Sequence, residues 1–390
     1  MVSAARISNA HRQCKLSADT GGPVLTIVRK EEERVQGKLN LDDVDAMKRH
    51  DREGMLDLVG RFGEDLRQAI EVARSLGDLD GTAVRNVALL GMGGSAIGGD
   101  LVKAYLGREL GVPFQVVRHY HVPGWVGPHT LVLASSYSGN TEEALAALET
   151  AQQAGARIVC LTSGGELERI AERMKYFRFP FPPGRPPRTA LPFSFVGILA
   201  ILARAGLIPD QTGEVESSLG WVEDRLRAFG PSTPVQENAA KMLARRLLGA
   251  IPIVYGSADY LVHVARRWAG QFCENAKSLA YFSEIPEMNH NEIVGWEHPS
   301  GQLRLMVPIF LRDQEDHPRI QARLEITREL LGLRCEQTLE YWSSGATRLE
   351  RLWSLILLGD FASMYLAFQN GEDPTPVEVI DTLKARMRQF

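Results

Sequence analysis

The chain has 390 residues, of which 44% are hydrophobic and 24% are charged, and these proportions are typical of a folded globular protein. A chain of this length suits two domains better than one. Its 44 basic and 48 acidic residues give a net charge of −4 at neutral pH, which argues against a nucleic-acid partner.

The cysteines and the apolar runs of the sequence indicate a cytoplasmic protein. The longest apolar run, around residues 192–203, is shorter than the roughly 18 residues that span a bilayer, so we expect no membrane segment. The four cysteines are scattered and follow no metal-ligand spacing, and we therefore expect reduced thiols. They are Cys14, Cys160, Cys273 and Cys335.

The first 80 residues are predicted to form a tail and a helical extension. Residues 1–36 carry no acid before Asp19 and no apolar core of a secretory signal, and we expect a disordered tail. Residues 37–80 are predicted to be a helical extension, because apolar residues between 42 and 75 recur every three or four positions. These residues are Met55, Leu56, Val59, Phe62, Leu66 and Ile70.

A glycine-rich loop follows the first predicted strand, at residues 86–90. Such a loop between a buried strand and a helix lets the backbone approach a ligand, with Ser95 as a hydroxyl donor. The loop lacks the lysine of a P-loop and the later acidic residue of a dinucleotide site. Close packing of the following helix is the alternative role for some of the glycines. The loop sequence is Gly91-Met92-Gly93-Gly94-Ser95-Ala96-Ile97-Gly98-Gly99.

A serine-rich loop at residues 135–141 joins an apolar run to a helix predicted at 142–153. The start of a helix offers unpaired N–H groups and the positive end of a dipole. Three hydroxyls and a glycine add donors and close backbone approach, so the sequence predicts a cradle for a phosphate monoester. An ordinary Ser/Thr-rich turn with an N-cap is the alternative. The hydroxyls belong to Ser136, Ser138 and Thr141, and the glycine is Gly139.

Residues 81–208 alternate strands and helices, which predicts a doubly wound α/β domain with a parallel sheet. Ligands bind such sheets beyond the carboxyl ends of the strands, where both loops fall. The predicted strands are 86–90, 114–118, 130–134, 157–161 and 176–179. The predicted helices are 96–106, 142–153, 166–174 and 193–203.

The alternation restarts after a helical connection predicted at residues 209–249. Residues 250–390 are therefore predicted to form a second α/β domain, and the chain to be a diverged duplication with the phosphate cradle only in its first half. The predicted strands are 251–255, 304–310 and 336–341. The predicted helices are 261–277, 319–331 and 347–368, and an irregular segment is expected between 277 and 304.

Two segments of the second half carry candidate catalytic residues. Glu274 lies among apolar residues in a predicted helix and is a candidate general base, although a helical pair with Lys277 would explain it too. His290 lies in a loop rich in Asn and Glu and is a candidate for moving protons at neutral pH, or a turn cap. The spacing of His290 to Glu292 or His298 disfavours a metal site.

These segments together resemble the bifunctional phosphoglucose/phosphomannose isomerase family, which is built from two sugar-isomerase (SIS) domains. The resemblance covers roughly residues 41–390 and implies tandem flavodoxin-like SIS domains with parallel sheets, no cofactor and no metal. The matching segments are Gly91-Met92-Gly93-Gly94-Ser95-Ala96, Ser136-x-Ser138-Gly139-x-Thr141, Pro187-Arg188, Glu274-Asn275, Asn289-His290-Asn291-Glu292 and Val377-x-x-Ile380-x-x-Leu383-Lys384.

The resemblance also implies roles for single residues. Glu274 corresponds to the base that moves a proton between C1 and C2, and Arg188 to the arginine near the enediol. His290 and Lys384 correspond to residues that open the sugar ring, with His290 lent by the neighbouring subunit of a homodimer. Thr375 lies in the region expected to make room around C2. The implied substrate-binding residues are Gly93, Gly94 and Ser95 for the sugar and Ser136, Ser138 and Thr141 for the phosphate.

The activity that the resemblance implies is interconversion of fructose 6-phosphate with glucose 6-phosphate and mannose 6-phosphate through a cis-enediol(ate). Two alternatives stay open on the residues alone. One is a SIS sensor that binds a sugar phosphate without catalysis. The other is a SIS isomerase restricted to one hexose or aminohexose phosphate. The first 35 or so residues have no counterpart in the family pattern.

Overall fold

The computed structural model describes residues 39–389 of the chain. The tail predicted at residues 1–36, and Cys14 within it, lie outside the described residues. The predicted fold class is confirmed, because two parallel β-sheets alternate with helices along the chain.

The N-terminal extension consists of three helices, α1 (Val44–His50), α2 (Met55–Gly60) and α3 (Phe62–Ser75). The described part of the extension is helical, as predicted, but it is divided into separate helices. The carboxylate of Asp51 accepts hydrogen bonds from the first two amides of α2, at 2.7 and 2.8 Å, and Gly54 adopts a φ of 70°. A capping side chain and a left-handed glycine therefore separate α1 from α2.

Five parallel strands form the first sheet. They are β1 (Asn86–Leu90), β2 (Phe114–Val117), β3 (Thr130–Ser135), β4 (Arg157–Thr162) and β5 (Phe177–Pro180). Their order across the sheet is β2-β1-β3-β4-β5. In β1, Val87 and Leu89 join one hydrophobic core while Ala88 and Leu90 join another, because successive side chains of a strand point to opposite faces.

Helices cover both faces of the first sheet, as expected for a doubly wound domain. They are α4 (Gly93–Leu106), α5 (Glu142–Gln153), α6 (Gly165–Met174) and α7 (Leu191–Arg204). Apolar residues of α5 and α6 pack on the outer face. Residues of α3, α4 and α7 join the larger core on the inner face. Three helices then lead to the second sheet: α8 (Thr212–Ser217), α9 (Leu219–Phe229) and α10 (Ala239–Leu247).

The second sheet has four parallel strands. They are β6 (Ile251–Ser257), β7 (Tyr281–Ile285), β8 (Met306–Arg312) and β9 (Leu339–Trp342). Their order β7-β6-β8-β9 repeats the first four positions of the first sheet. The expectation that the segment before β8 is irregular was wrong, because it contains β7. This edge strand has one buried residue, Ile285, and so lacks the apolar run that marks a central strand.

The helices of the second half are α11 (Leu261–Glu274), α12 (Glu292–Gly295), α13 (Pro318–Gly332), α14 (Arg348–Asn370) and α15 (Glu378–Met387). Leu324 and Leu331 of α13 pack on the outer face of the second sheet. Residues of α11 and α14 join the larger core, which both sheets share. The predicted helix at 261–277 ends three residues early, at Glu274.

Helix α14 occupies the centre of the shared core. Within the part of the chain that the structure describes, it alone is long and apolar enough to cross a membrane, with a mean hydropathy of 1.3 over its most apolar 18 residues, and that window is fully buried in the protein. It packs against α10 and α11. The apolar run near residues 192–203 forms the buried helix α7, as expected, whereas the apolar stretch of α14 is interrupted by the buried Asp360.

We expect the substitution Gly359→Ala to disturb the packing of α14 on α11. A Cβ at Gly359 would lie 2.2 Å from the indole Nε1 of Trp268, which donates a hydrogen bond to the carbonyl of Leu355 at 2.7 Å. The indole is fully buried and has no free space to move into. The free energy of unfolding in urea should therefore fall by about 2 kcal/mol.

Gly220→Ala is the matched control, because nothing lies within 4 Å of a Cβ added at this position in α9. We expect equal or slightly higher stability for that variant, since alanine favours helix more than glycine does. Equal unfolding midpoints for Gly359→Ala and the unaltered protein would contradict the tight packing.

Candidate active site

The glycine loop and the serine loop lie side by side, because they follow the neighbouring strands β1 and β3. The Oγ of Ser95 accepts a hydrogen bond from the backbone N–H of Tyr137 at 3.0 Å. The Oγ of Ser135 donates to the carbonyl of Ser95 at 3.1 Å. Ser95 therefore ties the two loops together, and a movement of one loop is transmitted to the other.

The serine loop gathers three hydroxyls beside the start of α5. The Oγ of Ser136 and the Oγ1 of Thr141 are 2.8 Å apart, and the exposed Ser138 accepts from the N–H of Asn140 at 3.2 Å. No side chain caps α5, and the first amides of a helix have no acceptor within it. Hydroxyls beside an uncapped helix start are an arrangement that favours an anion.

Gly139 gives the serine loop its shape. Its φ is 67°, and a Cβ at this position would lie 1.8 Å from the carbonyl oxygen of Gly164. The side-chain oxygen of Asn140 accepts from the N–H of Glu166 at 3.0 Å. The loop is therefore packed against the turn that follows β4, and only glycine fits at its centre.

The glycine loop brings Arg188 to the same edge of the sheet. Arg188 lies in a 3₁₀ turn, Pro187–Thr189. A Cβ on Gly94 would lie 2.9 Å from the backbone of Pro187, so the glycine permits the close approach of this turn to α4. The sequence-predicted residues Gly93, Gly94 and Arg188 thus meet at one place.

Arg188 joins the first half of the chain to the second. Its side chain is 4% exposed, and its Nε donates to the Oδ1 of Asn275 at 2.6 Å. Its second terminal nitrogen donates to the carbonyls of Pro374 and Thr375 at 2.8 and 2.9 Å. Burial lowers the pKa of the guanidinium from its usual value, and the charge of Glu274 opposes this effect.

Glu274 is the last residue of α11, and its side chain is 32% exposed. Its Oε2 lies 3.4 Å from a terminal nitrogen of Arg188. Both residues, with Gly93 and Gly94, line a cleft of about 220 Å³ between α4 and α11. The cleft therefore combines an accessible carboxylate, a buried cation and glycine backbone from opposite halves of the chain.

The cleft also contains residues that sequence reasoning missed: Arg118, Arg266, Arg267 and Gln271. Arg118 follows β2 and so occupies the same carboxyl edge as the two loops, a signal that could have revealed it. Arg266, Arg267 and Gln271 lie one to two helical turns before Glu274, and a helical projection would have placed them near it.

A buried ion pair holds Arg267 in place. Arg267 donates to both carboxylate oxygens of Asp360 in α14, at 2.9 and 2.6 Å, and Gln271 donates to the same carboxylate at 2.9 Å. Arg267 also donates to the backbone carbonyl of Arg188 at 3.1 Å. The central helix thus positions the turn that carries Arg188.

Lys277 holds the segment after α14 against the end of α11. Its Nζ donates to the carbonyl of Glu274 at 3.0 Å and to the carbonyls of Asp373 and Pro374 at 2.7 and 3.1 Å. The next residue, Thr375, is 8% exposed, and its hydroxyl oxygen has no partner among the described residues. Lys277 therefore does not form the alternative helical ion pair with the Glu274 carboxylate. Its Nζ donates hydrogen bonds to backbone carbonyls instead.

His290 and Lys384 do not line the cleft with Glu274 within one chain. His290 ends the 3₁₀ turn Glu287–His290 and is exposed. Lys384 lies in α15, which has no buried residue. The structure therefore brings together Glu274, Arg188 and the glycine loop, whereas it leaves these two residues outside. Among residues 39–389, no three His, Cys, Asp or Glu side chains are grouped to hold a metal ion.

The two parallel sheets, together with the comparisons that follow, place the chain in the class of proteins built from tandem SIS domains. The family model of the bacterial phospho-glucose isomerase C-terminal SIS domain matches residues 236–387. A hypothetical protein from Thermus thermophilus has a TM-score of 0.69 over 94% of this chain and 97% of its own, at 18% identity. A glucose-6-phosphate isomerase like protein from the same organism has a TM-score of 0.57 over 88% of this chain and 99% of its own, at 21% identity.

Relatives in sequence narrow this class to one family. The bifunctional phosphoglucose/phosphomannose isomerase of Caldicellulosiruptor bescii is 39% identical over 86% of this chain and 99% of its own. The bifunctional phosphoglucose/phosphomannose isomerase of Aquifex aeolicus is 34% identical over 80% of this chain and 92% of its own. The D-glucosamine-6-phosphate 4-epimerase of Sulfolobus acidocaldarius is 34% identical over 61% of this chain and 73% of its own. The chain belongs to the bifunctional phosphoglucose/phosphomannose isomerase family, which confirms the resemblance found in its motifs.

A histidine beside the cleft gives stability a pH dependence. Both ring nitrogens of His263 in α11 are buried without a partner among the described residues. Burial lowers the pKa of His263; the charge of Asp100 opposes this, and Lys103 and Arg266 add to it. Because the unfolded chain then binds the proton more readily, stability is full above the unfolded pKa of about 6.5 and falls as pH drops below it.

We therefore expect His263→Leu to remove part of the loss of stability at low pH. The free energy of unfolding of this variant and of the unaltered protein would be measured at about pH 7.5 and about pH 5.5. The free energy of unfolding should fall less for the variant than for the unaltered protein when the pH is lowered. A difference between the two proteins that is the same at both pH values would contradict the assignment to His263.

Proposed function

We propose that the protein interconverts fructose 6-phosphate with glucose 6-phosphate and mannose 6-phosphate through a cis-enediol(ate). The observation that carries the proposal is the partly exposed carboxylate of Glu274, 3.4 Å from the buried Arg188 and in one cleft with Gly93 and Gly94. A base beside a cation is what proton removal next to a carbonyl requires. Family membership supports the same activity.

The substrate phosphate is assigned to the serine loop. Ser136, Ser138 and Thr141 offer hydroxyls beside the start of α5, whose dipole favours a negative charge. The sugar then extends past Ser95 and the glycine loop toward Glu274. This assignment separates the anchoring of the substrate, which belongs to the first half of the chain, from the chemistry at C1 and C2.

Glu274 acts as the base in the proposed reaction. Its carboxylate removes the proton from C2 of the open-chain aldose while the carbonyl oxygen at C1 takes up negative charge. Arg188 stabilises that charge, the proton of the C2 hydroxyl passes to O1, and Glu274 returns its proton to C1 as the C2 oxygen becomes the carbonyl. Because the proton on C2 returns from either face when C2 has room, both epimers form; we assign that room to the region of Thr375. No step uses a metal ion or an organic cofactor.

Glu274→Gln tests this assignment with almost no change in shape. We expect interconversion of the hexose 6-phosphates to fall by at least about a thousandfold, because the amide cannot take a proton. Binding of glucitol 6-phosphate, which cannot react, should be retained and can be measured by calorimetry. Full activity of the variant would refute the role of Glu274, and normal binding without activity is the expected pattern.

Ring opening is assigned to His290 and Lys384. Since His290 is exposed and lies outside the cleft of its own chain, we propose that it enters the cleft of a second copy in a homodimer. The partner thus completes the site. The described cysteines form no disulfide, and we propose that the dimer acts in the cytoplasm, where thiols stay reduced.

Mixed dimers test the lending of His290. Chains with Glu274→Gln and chains with His290→Ala are each expected to be nearly inactive. When equal amounts are denatured together and refolded, half of the dimers are mixed, and each mixed dimer has one intact site. We therefore expect about a quarter of normal activity to return. No recovery would show that His290 serves its own chain, and full activity of the His290→Ala chains by themselves would show that His290 has no role.

An activity on aminohexose phosphates is the second candidate, favoured by the identity to the D-glucosamine-6-phosphate 4-epimerase of Sulfolobus acidocaldarius. The match to that relative covers a smaller share of this chain than the matches to the isomerases do. Assays on fructose 6-phosphate and glucosamine 6-phosphate side by side separate the two. Conversion of glucosamine 6-phosphate alone would replace the proposed function, and binding of both without turnover would indicate a sensor.

A further inference from the structure

The charged residues around the cleft do not balance. Arg188 lies beside Glu274, and Arg267 forms its ion pair with Asp360. The remaining two arginines, Arg118 and Arg266, share the single carboxylate of Asp100. One positive charge is therefore left over at the end of the cleft that Arg118 and Arg266 form.

Arg266 is the arginine with the weaker hold on Asp100. Arg118 donates a hydrogen bond to the carboxylate, whereas the Nε of Arg266 lies 3.9 Å from it and has no hydrogen-bond partner among the described residues. The guanidinium of Arg266 lies over the ring of Phe282 at 4.7 Å, and its side chain is 40% exposed. The contact with the Phe282 ring thus holds Arg266 in place, while its guanidinium N–H groups have no hydrogen-bond acceptor among the described residues.

Other charged groups near Arg118 and Arg266 do not neutralise the excess positive charge. Glu284 on β7 attracts Arg266, but no ion pair joins the two side chains among the described residues. The buried His263 of α11 lies within electrostatic reach of both Asp100 and Lys103 of α4. The lysine adds positive charge and the histidine is uncharged above its lowered pKa, so this end of the cleft favours an anion.

The sheet sets the distance between this end and the serine loop. Arg118 follows β2, Ser136 follows β3, and β1 lies between these two strands. Neighbouring strands are about 4.8 Å apart, so the two positions are separated by about 10 Å. A six-carbon sugar chain with a phosphate at each end spans a distance of this order.

We propose that Arg118 and Arg266 form a second anion subsite, which takes the C1 phosphate of a hexose 1,6-bisphosphate while the serine loop holds the C6 phosphate. This rests on the proposed function, because it uses the assigned position of the C6 phosphate. The bisphosphate of the ketose carries an ester at O1, and C1 therefore cannot become the carbonyl of an aldose. It binds without reacting and competes with the substrate.

The subsite connects the protein to one class of reaction. Transfer of a phosphoryl group from a nucleoside triphosphate to O1 of fructose 6-phosphate, with release of the nucleoside diphosphate and the hydroxyl proton, yields this bisphosphate. An enzyme that consumes the ketose in that way would therefore produce an inhibitor of the isomerase, and accumulation of the bisphosphate would slow the supply of its own precursor.

Two inhibitors test the proposal. Fructose 1,6-bisphosphate carries both anions, and glucitol 6-phosphate carries only the one at C6. Inhibition constants for both would be measured with the unaltered protein and with Arg266→Gln, Arg266→Lys and Arg227→Gln. Arg227→Gln is the charge-matched control, since this exposed side chain pairs with Asp224 on α9. Arg266→Gln leaves Asp100 paired with Arg118, and so leaves no buried carboxylate alone.

We expect the unaltered protein to bind the bisphosphate more tightly than glucitol 6-phosphate. In Arg266→Gln this preference should fall about tenfold, the usual effect of one charge-assisted hydrogen bond. Arg266→Lys should keep most of the preference, and Arg227→Gln all of it. Should Arg266→Gln fail to fold, added salt tests the unaltered protein, because the preference should shrink as ionic strength rises.

Three results would overturn the subsite: no preference for the bisphosphate in the unaltered protein, the same preference in Arg266→Gln, or a preference that salt leaves unchanged. Failure of the proposed function gives a different result, because glucitol 6-phosphate would then fail to bind the unaltered protein at all.

Discussion

The buried pair between Arg267 and Asp360 supports both the core and the cleft. Asp360 lies in the central helix α14 and is 2% exposed; Arg267 lies in α11 and is 4% exposed. Leaving either charge unpaired in such surroundings would cost about 3–5 kcal/mol, so α11 and α14 are held in one relative position. The carbonyl of Arg188 accepts from the same guanidinium, and the cation of the site is thereby fixed to the core.

This arrangement explains how two halves of one chain make a single site. The first sheet supplies loops suited to an anion, because its parallel strands end together and its helices begin there. The second half supplies the carboxylate, at the last residue of α11. Asn275 bridges them, since it accepts from Arg188 and donates to Ser363 of α14 at 2.9 Å. Arg188 is thus fixed by hydrogen bonds to both halves of the chain, whereas the Glu274 side chain beside it is 32% exposed.

Local features of the site could be predicted from the sequence, whereas long-range contacts could not. The glycine and serine loops each lie between a strand and a helix. Their glycines and hydroxyl side chains are close together in the sequence, so their ligand-binding character can be predicted from short segments. Glu274 was marked locally by its position among apolar residues of a predicted helix, whereas Arg188 was singled out by family resemblance alone, since nothing local marks it. Arg266 and Arg267 look like ordinary charged positions of a helix until α4 and α14 pack against them.

The errors in the fold have the same origin. Strand β7 lies at a sheet edge with a single buried residue, so it carries no apolar run. The break after α1 depends on the side chain of Asp51 reaching the next helix. Helix α14 was predicted at residues 347–368, but its place at the centre of the core was not, because the partners of its buried Asp360 and Ser363 come from distant parts of the chain.

The shared core has a consequence for how the protein comes into being on the ribosome. Helix α14 follows both sheets in the chain, yet the inner faces of both sheets belong to the core that it fills. Domains usually fold one after another as they emerge. Here α3, α4 and α7 cover the inner face of the first sheet early, but the core shared with the second sheet is complete only after α14, which ends at Asn370, has been made. The two sheets are separate in topology and a single unit in biogenesis.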